Sequence, residues 1–120
     1  MIIKLGTDIV SVSRIKEVFS ERKKLERLFS AKEIEYMDSH ESPWETVAGR
    51  FAAKEALYKA LSPFKISFDF SDVTVITGPN GPFAEFESAE MRELVKDIRL
   101  ELSISHEQDY AVAFAAAYKE

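Results

Sequence analysis

Apolar and polar residues change their period several times along this chain, and each change marks an element. From Ile2 to Val10 they alternate, with Ile3, Leu5, Thr7 and Ile9 on one face and Lys4, Gly6 and Asp8 on the other. That pattern predicts a buried first strand with a carboxylate near its end. Ile15, Val18 and Phe19 then recur at helical spacing, which predicts a helix from near Arg14 capped by Ser11 or Ser13. Leu25, Leu28 and Phe29 continue the burial, and Ser30 with Glu33 forms a capping box that opens a short helix to about Met37. Residues 38–42, D-S-H-E-S, are a polar connection.

The longest helical pattern follows. Ser42-Pro43 has the order of a cap and first turn, and a helix through Leu61 is predicted from residues that favour one. Wound at about 100° per residue, it carries three stripes. Trp44, Val47, Ala48, Phe51 and Tyr58 are apolar; Gly49, Ala53, Ala56 and Ala60 are very small; Arg50, Lys54 and Leu57 form the third. Glu55 falls among the apolar residues, with Lys59 one turn further along. A carboxylate in that position must be paired, metal-bound or protonated. Spacing alone leaves two readings open: a Glu55–Lys59 pair at the edge of the core, or a carboxylate aimed into a cleft beside an ammonium for an anionic ligand.

Ser62-Pro63 ends that helix. Phe64 to Phe70 is a short strand or an irregular edge, and Val73–Thr77 and Phe83–Phe86 are strands joined by the turn G-P-N-G-P. Ser88 caps a short helix carrying Met91, Leu94 and Val95. In the first of two closing strands, Leu100, Leu102, Ile104 and His106 share a face. In the second, Tyr110, Val112, Phe114, Ala116 and Tyr118 oppose Ala111, Ala113, Ala115 and Ala117, with H-E-Q-D between the strands as a hairpin loop. The alanine face is narrow enough to receive the small stripe of the long helix. The order of elements predicts one α+β domain over 1–120, a mainly antiparallel sheet packed on one long central helix plus shorter helices.

Composition narrows the function. With 46% hydrophobic and 31% charged residues the chain is an ordinary globular one, and with no cysteine it has no disulfide or thiolate chemistry. No apolar run approaches the roughly 20 residues of a membrane span. The start M-I-I-K-L-G-T-D lacks the features of a signal peptide, so a cytoplasmic address with no membrane partner is expected. The net charge of −5 argues against nucleic acid, yet residues 14–32 hold seven basic against three acidic residues. Such a patch suits one acidic partner, or is simply a solvated helix face. An RNA-binding surface would interleave aromatics with the basic residues, whereas Phe19 and Phe29 fall at apolar positions.

No phosphate-binding glycine loop, dinucleotide fingerprint or zinc-protease motif occurs. The candidate chemistry rests on Asp8, Glu55, Lys59, Arg50 and His106. Two carboxylates from different elements suffice for Mg²⁺ when phosphates and waters complete its shell. Neighbouring cations would neutralise charge during displacement at phosphorus. The residues therefore point to Mg²⁺-dependent chemistry on a phosphate ester or anhydride.

Three segments occur in a telling order: G-T-D-I-V with S-R-I, then A-G-R-F-A-A-K-E-A-L-Y-K-A-L, then L-S-I-S-H-E-Q-D-Y-A-V-A-F. Over essentially its whole length the chain resembles the holo-acyl-carrier-protein synthase family of phosphopantetheinyl transferases. The resemblance implies transfer of 4′-phosphopantetheine from coenzyme A to a serine of apo acyl carrier protein, releasing adenosine 3′,5′-bisphosphate. It implies Asp8 and Glu55 as Mg²⁺ ligands, Arg50 and Lys59 as contacts to coenzyme A phosphates, and His106 near the site. It also implies Arg14, with Arg22 and Lys24 close by, as the surface for the acidic carrier, and a homotrimer with active sites between subunits. The chain departs from the family's pattern where the nucleotide end of coenzyme A is held. Ser62-Pro63-Phe64-Lys65 replaces a glycine-rich turn, and Asn80-Gly81-Pro82 lacks the lysine of the usual Gly-Lys-Pro. The rival reading is a non-catalytic protein that uses its basic patch to bind an acidic partner.

Overall fold

The computed structural model describes residues 1–120. The chain runs β1 (Ile2–Ser11), α1 (Val12–Phe19), α2 (Arg22–Leu28), α3 (Ala31–Asp38), α4 (Trp44–Leu61), β2 (Val73–Gly78), β3 (Gly81–Phe86), α5 (Ala89–Leu94), β4 (Arg99–Glu107) and β5 (Tyr110–Lys119). All strand pairs are antiparallel, in a three-stranded sheet ordered β1-β5-β4 and a separate β2-β3 hairpin.

Local sequence explains most element boundaries. The Ser11 side chain accepts from the Arg14 amide at the start of α1, and Ser88 accepts from the Met91 amide at the start of α5. At α3 the Ser30–Glu33 capping box is complete in both directions. The α4 start differs from expectation. Pro43 itself holds the cap position, its carbonyl accepts from the Val47 amide, and Ser42 supplies no side-chain cap. The missing proline N–H costs nothing at this end, because the first N–H groups of a helix have no intrahelical acceptor. After α4 a 3₁₀ turn at Ser62–Phe64 ends on Lys65 with φ 61, and 66–69 is irregular, so no strand forms there. Both hairpins are tighter than the turn residues suggested: Pro79-Asn80 joins β2 to β3, and Gln108-Asp109 joins β4 to β5.

The expected helix–sheet contact is the core. Ala111, Ala113, Ala115 and Ala117 of β5 are fully buried, as are Ala53, Ala56 and Ala60 of α4. Small residues on both sides let the helix lie almost on the strand backbones. Gly6 of β1 shows how close this is, since a methyl there would meet the carbonyl of Ala56. A second apolar cluster joins Ile15, Phe19, Leu25 and Met37 of the three short helices, and Phe29 just past α2, to Val47 and Ala48.

One expectation is reversed. The apolar face of β1 is not core: Ile3 is 55% exposed, Leu5 58% and Ile9 64%, and Phe114 of β5 on the same face is 45% exposed. Gly6 and Asp8 face α4 instead. The helix lies too near the sheet for large side chains, so the large ones point away from it.

Candidate active site

Asp8 reaches the site because β1 turns Gly6 and Asp8 toward α4, and the close seat at Gly6 brings the strand against the turn that carries Glu55. Both carboxylates line one cleft of about 490 Å³, together with Arg14, Phe51 and the apolar Ile9, Val18 and Leu28. Lys59 closes the group from the next turn of α4. Its Nζ donates to the Thr7 carbonyl at 2.9 Å and to Asp8 Oδ1 at 3.3 Å. The ammonium thus pairs with Asp8 across elements, and no Glu55–Lys59 bridge forms. Partial burial raises the Glu55 carboxyl above its ordinary range, the nearby negative charge of Asp8 raises it further, and Lys59 opposes both. Two half-shielded carboxylates that repel each other form a donor set suited to a hard divalent cation, which relieves that repulsion. Asp8 and Glu55 therefore fit such an ion, with ligands besides these two left to phosphate and water.

The other site residues lie elsewhere. Arg50, Gly49, Thr46, Thr77, Pro82 and His106 line a second groove of about 210 Å³ that shares no residue with the first. At 100° per residue its α4 residues sit roughly 120–180° round the helix from Glu55. The sheet register agrees. Asp8 pairs with Ala113 and His106 with Ala111, on opposite sides of β5, which places the two backbones roughly 12 Å apart with α4 over the strand between them. Within one chain His106 and Arg50 therefore do not join the Asp8–Glu55 pair. His106 Nε2 lies 2.9 Å from the Glu45 carbonyl. Since a carbonyl only accepts, Nε2 carries the proton. Glycine at 49 makes room for that ring, because a Cβ there would lie 2.7 Å from His106 Nε2 and 3.0 Å from Ile104.

Arg50 is only 8% exposed. Burial pulls its pKa down, opposed by Glu33 and Tyr36. Asn80 and Gly81 lie at the tip of the β2-β3 hairpin, and only Pro82 of that trio lines the groove. Among the basic residues, Arg14 faces the carboxylate cleft. Arg22 is tied down: it grips Asp38 with two bonds of 2.8 and 3.0 Å and Glu26 with a third. Lys24 pairs with Glu21 at 3.4 Å.

Lys54 and Glu33 form a network that the helical pattern did not disclose. Lys54 Nζ, fully buried, donates to Glu33 Oε1 at 2.6 Å and to the carbonyls of Phe70 and Val73 at 2.7 Å. Glu33 also accepts from the Ser30 and Val75 amides. Burial lowers the Lys54 pKa, against the pull of Glu33. The available signal was a lysine on the same stripe as Leu57, where a buried cation demands a partner.

With this geometry in view, comparison with known proteins is decisive. The 4′-phosphopantetheinyl transferase superfamily model matches residues 4–115. A holo-[acyl-carrier-protein] synthase of Caldicellulosiruptor saccharolyticus is 42% identical over 123 aligned residues, covering 100% of this chain and 99% of the relative. The chain belongs to the holo-[acyl-carrier-protein] synthase family. It is therefore a phosphopantetheinyl transferase. The Borrelia hermsii synthase is 40% identical over 116 residues, covering 92% of this chain and 93% of its own. Among solved structures, the Chronobacterium ammoniagenes ACPS-CoA complex superposes with a TM-score of 0.85 at 28% identity, covering 100% of this chain and 99% of that one. The Neisseria meningitidis synthase gives 0.84 at 28%, covering 97% of this chain and 98% of that one. The α+β class expected from the sequence is the observed one. No helix is long and apolar enough to cross a membrane.

Proposed function

We propose that this protein transfers 4′-phosphopantetheine from coenzyme A to a serine of apo acyl carrier protein, using Mg²⁺ and releasing adenosine 3′,5′-bisphosphate. The observation that carries this reading is the convergence of Asp8 and Glu55 on one cleft, with the Lys59 ammonium on Asp8. Mg²⁺, when bound by the two carboxylates, would supply positive charge to the diphosphate of the donor. The serine oxygen forms a bond to the β-phosphorus, the bond from that phosphorus to the bridging oxygen breaks, and the adenosine bisphosphate leaves with that oxygen. The serine proton passes to Glu55 or to water beside it. Lys59 stands where it can take negative charge developing on the diphosphate. Arg50, charged and shielded, meets a phosphate at the far end of the donor.

The two grooves on different sides of α4 support an active site completed between subunits, one chain giving Asp8 and Glu55 and a neighbour giving Arg50 and His106. The uncovered sheet face bearing Ile3, Leu5, Ile9 and Phe114 supports a homotrimer whose subunits cover it. Arg14 at the mouth of the carboxylate cleft places basic charge where an acidic carrier would deliver its serine. The non-catalytic alternative leaves two carboxylates and Lys59 gathered for no purpose.

The test is mass spectrometry of apo carrier protein after incubation with coenzyme A, Mg²⁺ and the enzyme. A gain of one phosphopantetheine is expected, lost with Asp8→Ala, Glu55→Ala or excess chelator while the fold by circular dichroism persists. No mass gain with wild type would overturn the function, and full activity of either variant would overturn the metal site.

A further inference from the structure

Arg50 is the one arginine or lysine lining the second groove. Its guanidinium lies 4.4 Å from the centroid of the Tyr36 ring, and it donates no hydrogen bond and forms no ion pair within the chain. Glu33, the buried carboxylate of that region, is already taken by Lys54 and the amides of Ser30 and Val75. A carboxylate seat would hold arginine through the same N–H groups a phosphate needs. An aromatic face holds the cation without taking any of them. An arginine already seated has also lost its rotamer freedom on folding, so that loss is not repeated on binding. Tyr36 is itself held: it lies in α3, and the His40 ring packs against it, tilted by 34°, with a centroid distance of 4.2 Å.

We propose that Tyr36 is a positioning residue for donor binding, its ring face keeping the Arg50 guanidinium open toward the groove for a phosphate of coenzyme A. The inference rests on the reading above that Arg50 meets the donor. Tyr36 acts through Arg50 and touches no reacting atom, so it bears on donor affinity and not on the chemical step.

The experiment measures coenzyme A binding by calorimetry, and steady-state kinetics, for wild type, Tyr36→Leu, Tyr36→Phe, Arg50→Ala and the Tyr36→Leu/Arg50→Ala double variant. Loss of a cation–ring contact of this kind is expected to raise the Kd for coenzyme A roughly three- to tenfold in Tyr36→Leu. Tyr36→Phe, which keeps the ring, is expected to bind within about twofold of wild type. The double variant should bind no worse than Arg50→Ala, because the ring acts only through the guanidinium. In Tyr36→Leu the KM for coenzyme A should rise, with kcat and the KM for carrier protein unchanged. Coenzyme A affinity unaltered in Arg50→Ala would overturn the reading that Arg50 meets the donor. Weakened binding in Arg50→Ala with wild-type binding in Tyr36→Leu would overturn the role of Tyr36 alone. Equal losses in the Leu and Phe variants, additive losses in the double variant, or a fall in kcat would also overturn it. If Tyr36→Leu fails to fold, Tyr36→Trp takes its place: its larger ring should bind coenzyme A at least as tightly as wild type, and weaker binding would count against the proposal.

Discussion

Gly6 of β1 and Ala56 of α4 touch backbone to backbone: a side chain on Gly6 would overlap the Ala56 carbonyl. That contact lies two residues from Asp8 and one from Glu55, so the seat that packs the core also sets the spacing of the two carboxylates. Gly6→Ala can be accommodated only by moving the strand off the helix. A cost of about 2 kcal/mol or more is expected in denaturant unfolding, in the range of overpacked cores. Divalent-metal binding should weaken in the protein that remains folded. Unchanged stability would show that the strand has room the geometry denies.

Lys59 separates a structural role from a chemical one. Its bridge to Asp8 is half-exposed on the lysine side, and pairs of that kind stabilise by at most about 1 kcal/mol. Losing a contact that stabilises the transition state costs on the order of 10²-fold in rate. Lys59→Met should therefore lower kcat by about that factor with little change in melting temperature. A variant that turns over within a few-fold of wild type would confine Lys59 to holding Asp8.

For Lys54 the expectation runs the other way. Lys54→Met leaves Glu33 buried without its cation, which costs about 3–5 kcal/mol when one partner of a buried pair is removed. Changing Glu33 to Gln as well should recover part of that loss, read by the unfolding midpoint. An equal or larger loss in the double variant would mean the bonds of Glu33 to Ser30 and Val75 dominate.

Charge reversal should distinguish Arg14 from Arg22. Arg14 has no carboxylate partner and faces the cleft, so Arg14→Glu should raise the KM for carrier protein severalfold, more so at low salt. Arg22 is already spent on Asp38 and Glu26, so Arg22→Glu should do less to the carrier and more to the fold. Equal effects on the carrier KM would restore Arg22 to the docking surface.

The Arg22–Asp38 fork also predicts a pH response. The guanidinium bonds hold the Asp38 carboxyl below its ordinary range. Its stabilising contribution is present above the unfolded aspartate value of about 3.9, and is lost as pH falls through the lower folded value. Both side chains are about half exposed, so water screens the pair and its contribution is small; Asp38→Asn should therefore flatten the acid limb of the stability curve below about pH 4 only slightly. An acid limb indistinguishable from that of wild type would mean that solvent screening leaves the pair no stabilising share.

Sequence alone determined most of the elements and their order, though it did not separate α2 (Arg22–Leu28) from α1 or decide that 66–69 forms no strand. Alternation and helical spacing report which side of a segment leaves water, and the serine caps of α1, α3 and α5 are local chemistry that needs no tertiary partner. The resemblance carried by the three motifs likewise named the family. Which face meets which was another matter. Period two shows that Ile3, Leu5 and Ile9 share a side, but not that this side lies open while glycine and alanine take the helix. Only the closeness of α4 to β5 decides that, because at that distance no larger side chain fits between them. Pairing was equally out of reach. Spacing offered Lys59 to Glu55, yet the ammonium goes to Asp8, 51 residues away, and Lys54 finds Glu33 across 21. Long-range ion pairs depend on where whole elements come to rest, and periodicity reports only how each element faces.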